Sequence, residues 1–229
     1  MGGAALGADV SDGPRPIVPG SLGVFGGTFD PIHYAHLAVA EQAAEALGLE
    51  RVLFIPAGEP PHKRAVAITP AEDRLAMVEL AIADNPRFGA DRLEIDRPGP
   101  SYTVDTLEAL RASRAAAGIT ADLTLILSAE AFLGLMTWRE PRHVLELARV
   151  VVAPRDGYPE AGPDFLAEHL PDLADRATFL DGPRLRVSAS DLRSRAAAGR
   201  SLRYLVPDAV LAYIGDHGLY QNPRRNTES

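Results

Sequence analysis

Short, nearly unbroken apolar runs alternate along the chain with longer stretches in which apolar residues return every three or four positions. The first run, "LGVFGG" (22–27), predicts a strand that stops at a glycine pair. A helix is predicted from Tyr34 to Leu47, with Gly48 as its stop. "RVLFIPAG" (51–58) predicts a second strand. Thr69, Pro70 and Glu72 then read as a helix start made of cap, first-turn proline and capping-box acid, and Leu75, Val78 and Ile82 form the stripe that follows. "DRLEID" (91–96) alternates like a strand, and Val104 to Ala116 reads as a helix ended by Gly118.

The apolar runs "DLTLIL" (122–127) and "RVVVAP" (149–154) predict buried strands, with helical character around 129–135 and 141–148. Residues 156–176 lack a clear period and read as a connection with one short helix. One or two short strands are expected in 178–188, a helix in 190–199 and a last helix in 207–218. Strand and helix alternate throughout, which predicts a single α/β domain with a doubly wound parallel sheet covered on both faces. The folded part is expected to span 21–220, with a flexible leader over 1–20 and a flexible tail over 221–229. Ligands of such folds sit beyond the carboxyl ends of the strands, so the loops there are the places to look for chemistry.

Composition narrows the chemistry. The 229 residues include no cysteine, which excludes disulfides and thiolate metal sites. The formal charge is −8, and no broad basic face of the kind nucleic acid requires is evident. No apolar run approaches the ~20 residues of a membrane span, and the first twenty residues lack the basic start of a signal peptide, so the expected address is the cytoplasm. A negative chain that binds an anion must do so through local cations and backbone amides.

"GGTFDPIHYAH" (26–36) places two histidines three apart after a glycine pair. It is neither a Walker loop nor a dinucleotide fingerprint. Gly26 and Gly27 would let a ligand approach the backbone, while Phe29 and Thr28 lie in the same loop. His33 and His36, near a helix amino end with free N–H groups, suit phosphate; packing or capping and a metal pair are the other readings. Lys63 in "PPHKR" could reach a phosphate or be a solvated loop lysine. In "RVSASDLRSR" (186–195), Ser188 can cap a helix with Asp191 as its partner, and Arg193 would lie near that amino end. The only tryptophan, Trp138, is either packed or able to stack on a flat ring. No Gly-x-Ser-x-Gly elbow or acid/base pair stands out, which fits a reaction run by positioning and charge neutralisation.

"GVFGGTFDPIHYAH" with "VSASDLR" resembles the paired signatures of the nucleotidyltransferase superfamily. "VLFIPAGEPPHK", "RPGPSYTVDTLEAL" and "RYLVPDAVLAYIGDHGLY" narrow the resemblance to the bacterial nicotinate-nucleotide adenylyltransferases, from about Ser21 to Tyr220. It implies a Rossmann-like fold of nucleotidyltransferase type. It also implies transfer of an adenylyl group from ATP to nicotinate mononucleotide, giving deamido-NAD and pyrophosphate, with Mg2+ carried by the ATP phosphates. By the same resemblance His33, His36, Lys63 and Arg193 are catalytic. Gly26, Gly27, Phe29 and Ser188 join the histidines and Arg193 at ATP. Thr28, Thr103, Glu130 and Trp138 hold the mononucleotide, and no protein metal ligands are expected. Assembly into a homo-oligomer is left open. Sister acceptors (nicotinamide mononucleotide or phosphopantetheine), a cytidylyl transfer, and a nucleotide-binding regulator without catalysis are the alternatives. The sequence departs from the family pattern at Ala35, Ser128, Glu130, Met136 and Ala189.

Overall fold

The computed structural model describes residues 15–61, 68–159 and 161–221. Strands β1 (Val18–Gly27), β2 (Leu49–Pro56), β3 (Phe88–Ala90), β4 (Leu123–Ser128), β5 (Ala148–Ala153) and β6 (Ala177–Phe179) form one sheet in the order β3-β2-β1-β4-β5-β6. The pairings are parallel, with Leu22 opposite Leu123, Leu125 opposite Val150 and Val151 opposite Thr178. The strand order reverses at β1, so the loop that leaves β1 sits at the topological switch point.

The helices are α1 (Tyr34–Leu47), α2 (Ala71–Ile82), α3 (Thr103–Ala116), α4 (Ala129–Leu133), α5 (Pro141–Leu147), α6 (Asp164–His169), α7 (Ala189–Ala197) and α8 (Asp208–Asp216). Short 3₁₀ turns occupy Leu135–Thr137 and Pro171–Arg176. Among the described residues no helix is long and apolar enough to cross a membrane.

The chain forms two compact units. One contains the described residues up to Phe25, Val39–Val52 and Tyr102–Arg184. Its core follows from the apolar runs: Leu123, Leu125, Ile126 and Leu127 of β4 and Val150–Val152 of β5 are buried. Phe132 packs its ring against Phe165 and Phe179 at 5.0 and 5.5 Å. The other unit contains Gly26–Ala38, Leu53–Ser101 and the described residues from Leu185 onward. There Phe54 meets Phe29 and Phe88 at 5.8 and 5.2 Å. Leu75, Val78 and Ile82 are buried on α2 as their spacing predicts, and Tyr213 of α8 donates to Asp73 of α2 at 2.8 Å.

Several expectations are corrected. β1 begins at Val18, within the stretch read as leader, and Val18 N–H donates to Gly48 carbonyl at 2.9 Å. The remaining leader positions 1–14 and the tail positions 222–229 lie outside the described residues. Thr69 does not cap α2. The helix starts at Ala71 with Pro70 at the N-cap position, which has no side-chain acceptor to offer, and the Thr69 backbone bonds to Arg74 and Asp30. "DRLEID" is a turn and β3 precedes it. Asp91 Oδ1 accepts from Leu93 N–H at 2.8 Å, and Arg92 pairs with Glu72 and Asp96. The acidic alternation there serves a salt-bridged turn and no sheet face.

Candidate active site

The loop leaving β1 is held in an unusual conformation. Phe29 has a left-handed backbone, φ +49°, which costs a non-glycine residue about 1–3 kcal/mol. Its ring is buried, lies edge-on to His36 at 5.1 Å, and covers Gly27, where an added Cβ would come within 3.0 Å of the ring. Gly26 is exposed, with open space where a side chain would project. A ligand can therefore approach the peptide at Gly26 closely.

His33 precedes α1 and His36 lies in its first turn. Their rings stack at 3.8 Å with 21° between planes, which unites the two histidines singled out by spacing. His33 is 5% exposed and His36 is half-buried. His36 Nδ1 accepts the His33 backbone N–H at 3.3 Å. That contact is the capping role read as one alternative, and it also fixes the ring: a neutral His36 with an accepting Nδ1 carries its proton on Nε2.

Part of the expected row of free helix amides is taken. Tyr34 N–H donates to Leu205 carbonyl at 3.2 Å, and the amides of His36 and Leu37 donate to His33 carbonyl. Leu205 arrives from far along the chain, so local sequence could not reveal it. Attraction for an anion at this end falls to the side chains and to the residual helix dipole.

Arg193, on the second turn of α7, reaches the same loop. Its Nη1 donates to Asp30 carbonyl at 2.7 Å and lies 4.0 Å from Asp30 Oδ2. Ser188 caps α7 as expected, its Oγ accepting Asp191 N–H at 3.2 Å. Lys63 lies outside the described residues.

Three supporting residues escaped the sequence reading. Arg74, 1% exposed, donates to the carbonyls of Thr69 and Thr28 at 2.9 and 2.8 Å and to those of Ala57 and Gly58 at 2.6 and 3.3 Å. It thereby ties the loop after β1, which includes Thr28, to the loop after β2. Burial lowers its pKa, against the attraction of Asp30, Tyr220 and Glu94. Asp30, 4% exposed, accepts from Tyr220 hydroxyl at 2.7 Å and from Thr69 N–H at 3.4 Å. Burial pushes the Tyr220 phenol well above its usual range, so it stays protonated and a donor. A sequence signal existed for Arg74: it sits one turn before Val78 on the apolar face of α2.

The remaining candidates belong to the other compact unit. Thr103 opens α3, and Trp138, half-buried, follows the 3₁₀ turn and donates its backbone N–H to Leu135 carbonyl at 3.0 Å. Their chain neighbours meet: Arg139 lies 5.0 Å over the Tyr102 ring and 3.5 Å from Asp105. Glu130 is held elsewhere in that unit. Its Oε1 accepts from Tyr158 hydroxyl at 2.5 Å, its Oε2 pairs with Arg155 at 2.9 Å, and all three side chains are substantially exposed. The bond to Glu130 raises the Tyr158 phenol pKa. Among the described residues no group of three or more His, Asp or Glu is placed to hold a metal ion.

Residues 24–195 match the family described as cytidylyltransferase-like. The probable nicotinate-nucleotide adenylyltransferase of Roseiflexus sp. (strain RS-1) is 52% identical over 200 residues, covering 87% of this chain and 98% of its own. That of Thermus thermophilus is 46% identical over 201 residues, covering 87% and 99%. The structure of Plasmodium falciparum nicotinic acid mononucleotide adenylyltransferase complexed with NaAD superposes with a TM-score of 0.70 at 16% identity, covering 87% and 97%. At that identity the superposition speaks to the fold alone.

Proposed function

The chain belongs to the cytidylyltransferase-like family, and from that premise we propose that it is a nicotinate-nucleotide adenylyltransferase of NAD biosynthesis. A 5′-phosphate oxygen of nicotinate mononucleotide attacks the α-phosphorus of ATP. The bond from that phosphorus to the bridging oxygen breaks, and pyrophosphate leaves with both bond electrons. The observation that carries this reading is the meeting of a stacked histidine pair and an arginine on one loop.

The chemistry asks for alignment and for positive charge where phosphoryl oxygens gain negative charge. His36, with its Nδ1 engaged by the backbone, offers Nε2–H to such an oxygen. Arg193 offers guanidinium N–H groups beyond the one bound to Asp30, and Lys63 is assigned to the same phosphates. The open backbone at Gly26 and the Phe29 ring over Gly27 shape the surface against which ATP lies. Ser188, whose oxygen already accepts within its cap, keeps its hydroxyl proton for a phosphate. His33 braces the His36 ring by stacking on it and is assigned with it to the phosphates.

The mononucleotide falls to Thr28, Thr103, Glu130 and Trp138, the indole stacking on the pyridine ring. Imidazole N–H and guanidinium donors suit phosphate oxygens and not a cation, which fits a divalent ion carried by ATP. Magnesium is that ion in this reading, and it neutralises triphosphate charge when bound. The cytoplasm is the proposed location.

The test is to supply ATP, magnesium and either nicotinate or nicotinamide mononucleotide and to follow dinucleotide and pyrophosphate. Deamido-NAD formed with pyrophosphate in equal amounts is expected, with the acid preferred. Exclusive use of another acceptor, phosphopantetheine included, would replace the assigned substrate. ATP binding without pyrophosphate release would leave a nucleotide-binding regulator.

A further inference from the structure

Asp30 presents an electrostatic problem. Its carboxylate is buried next to the guanidinium of Arg193, yet the two do not close a tight ion pair. Arg193 Nη1 bonds to the backbone carbonyl of Asp30 at 2.7 Å and stays 4.0 Å from the nearer carboxylate oxygen. The carboxylate oxygens are held by other donors, Oδ1 by Tyr220 hydroxyl at 2.7 Å and Oδ2 by Thr69 N–H at 3.4 Å. The other cation facing this carboxylate, Arg74, directs N–H groups to the carbonyls of Thr28, Ala57, Gly58 and Thr69.

We propose that the Tyr220 hydroxyl holds the Asp30 carboxylate away from Arg193, so that this guanidinium remains available to the triphosphate; Tyr220 and Asp30 are positioning residues that act through Arg193. The inference rests on the assignment of Arg193 to phosphate made above.

Three features support it. A buried carboxylate deprived of a donor takes the nearest replacement, and an Arg193 N–H stands about 1 Å beyond bonding distance. A closed pair would remove both charge and N–H groups from the ligand side. The chain also accepts strain to bring this hydroxyl in: Tyr220 has φ +63° just beyond a left-handed Gly218, past the end of α8. Finally, the raised phenol pKa keeps the hydroxyl a donor throughout the working range of pH.

The experiment uses the full chain and two probes, ATP in the pyrophosphate-release assay and inorganic tripolyphosphate in calorimetry without acceptor. Tyr220→Phe removes one oxygen atom and is expected to raise the KM for ATP and the Kd for tripolyphosphate roughly tenfold, the scale of one hydrogen bond to a charged group. Adding Asp30→Asn to Tyr220→Phe removes the competing charge and is expected to return both constants to within about threefold of the parent. A purely structural role would give additive losses in melting temperature with no such recovery. Wild-type constants in Tyr220→Phe, or no recovery in the double variant, overturn the proposal. Should Tyr220→Phe fail to fold, Asp30→Asn alone decides: binding of tripolyphosphate at least as tight as in the parent supports the proposal, and weaker binding overturns it. A parent protein that binds tripolyphosphate yet forms no dinucleotide removes the transferase reading and leaves this inference standing.

Discussion

The loop after β1 and the segment around Glu130 carry charge in opposite ways. Around the first, Arg74, Asp30 and His33 are almost fully buried, and their groups are tied to the backbone of three separated stretches. Around Glu130, the partners Arg155 and Tyr158 are exposed side chains on the loop after β5, and the contacts run from side chain to side chain. Buried charges are costly to strand and so lock geometry, whereas exposed pairs exchange readily with water. The difference separates a fixed, buried frame from an adjustable contact. Of the five departures from the family pattern, Ser128, Glu130 and Met136 fall in the segment around Glu130, whereas Ala35 lies between the two histidines and Ala189 opens α7.

The largest effect should come from the centre of the buried network. Arg74→Met strands carbonyls of Thr28, Ala57, Gly58 and Thr69 and is expected to cost at least ~3 kcal/mol, read as a lower urea midpoint at unchanged slope. A change below about 1 kcal/mol would erase the contrast between the two regions. Next, His36→Ala is expected to lower kcat by ~10²–10³ in the pyrophosphate-release assay, with little change in melting temperature. Near-normal turnover would remove His36 from the phosphate grip.

On the exposed side, Arg155→Ala should shift stability by less than about 1 kcal/mol, and Glu130→Gln should change the KM for mononucleotide by less than roughly tenfold with kcat retained. A collapse of kcat in Glu130→Gln would show that this segment is as constrained as the loop after β1.

The smallest effect belongs to His143, an exposed residue whose hydrogen bonds to Glu146 and Glu108 raise its pKa above the ordinary 6.5. The sign follows from the raised folded value. The stabilisation is fully present below pH 6.5 and is lost as pH rises through the higher folded pKa. Melting curves of the parent should therefore show a slight decline above pH 6.5 that His143→Gln lacks.

How much was legible follows the same division between local and distant causes. The strands β4 and β5 announce themselves as apolar runs because parallel strands are buried on both faces. The histidine loop was legible from "GTFDPIHYAH", since spacing and a following helix are local properties. Asp30 sat in full view within that loop, but its partners, Thr69, Arg193 and Tyr220, come from remote positions. The helix amino end was expected to carry free N–H groups, but the Tyr34 amide is taken by Leu205, which is remote in sequence. Residues 91–96 misled because acidic and apolar residues alternate in a salt-bridged turn just as they would in an edge strand.

The most direct measurement is a crystal structure with magnesium and an ATP analogue whose α,β-bridging oxygen is a methylene. The expected result is His36 Nε2 and an Arg193 guanidinium nitrogen each within about 2.7–3.2 Å of triphosphate oxygens, with Arg193 still bonded to Asp30 carbonyl. A triphosphate seated away from both side chains, or an Arg193 paired to the Asp30 carboxylate with the phosphates bound, would contradict the grip proposed for this loop.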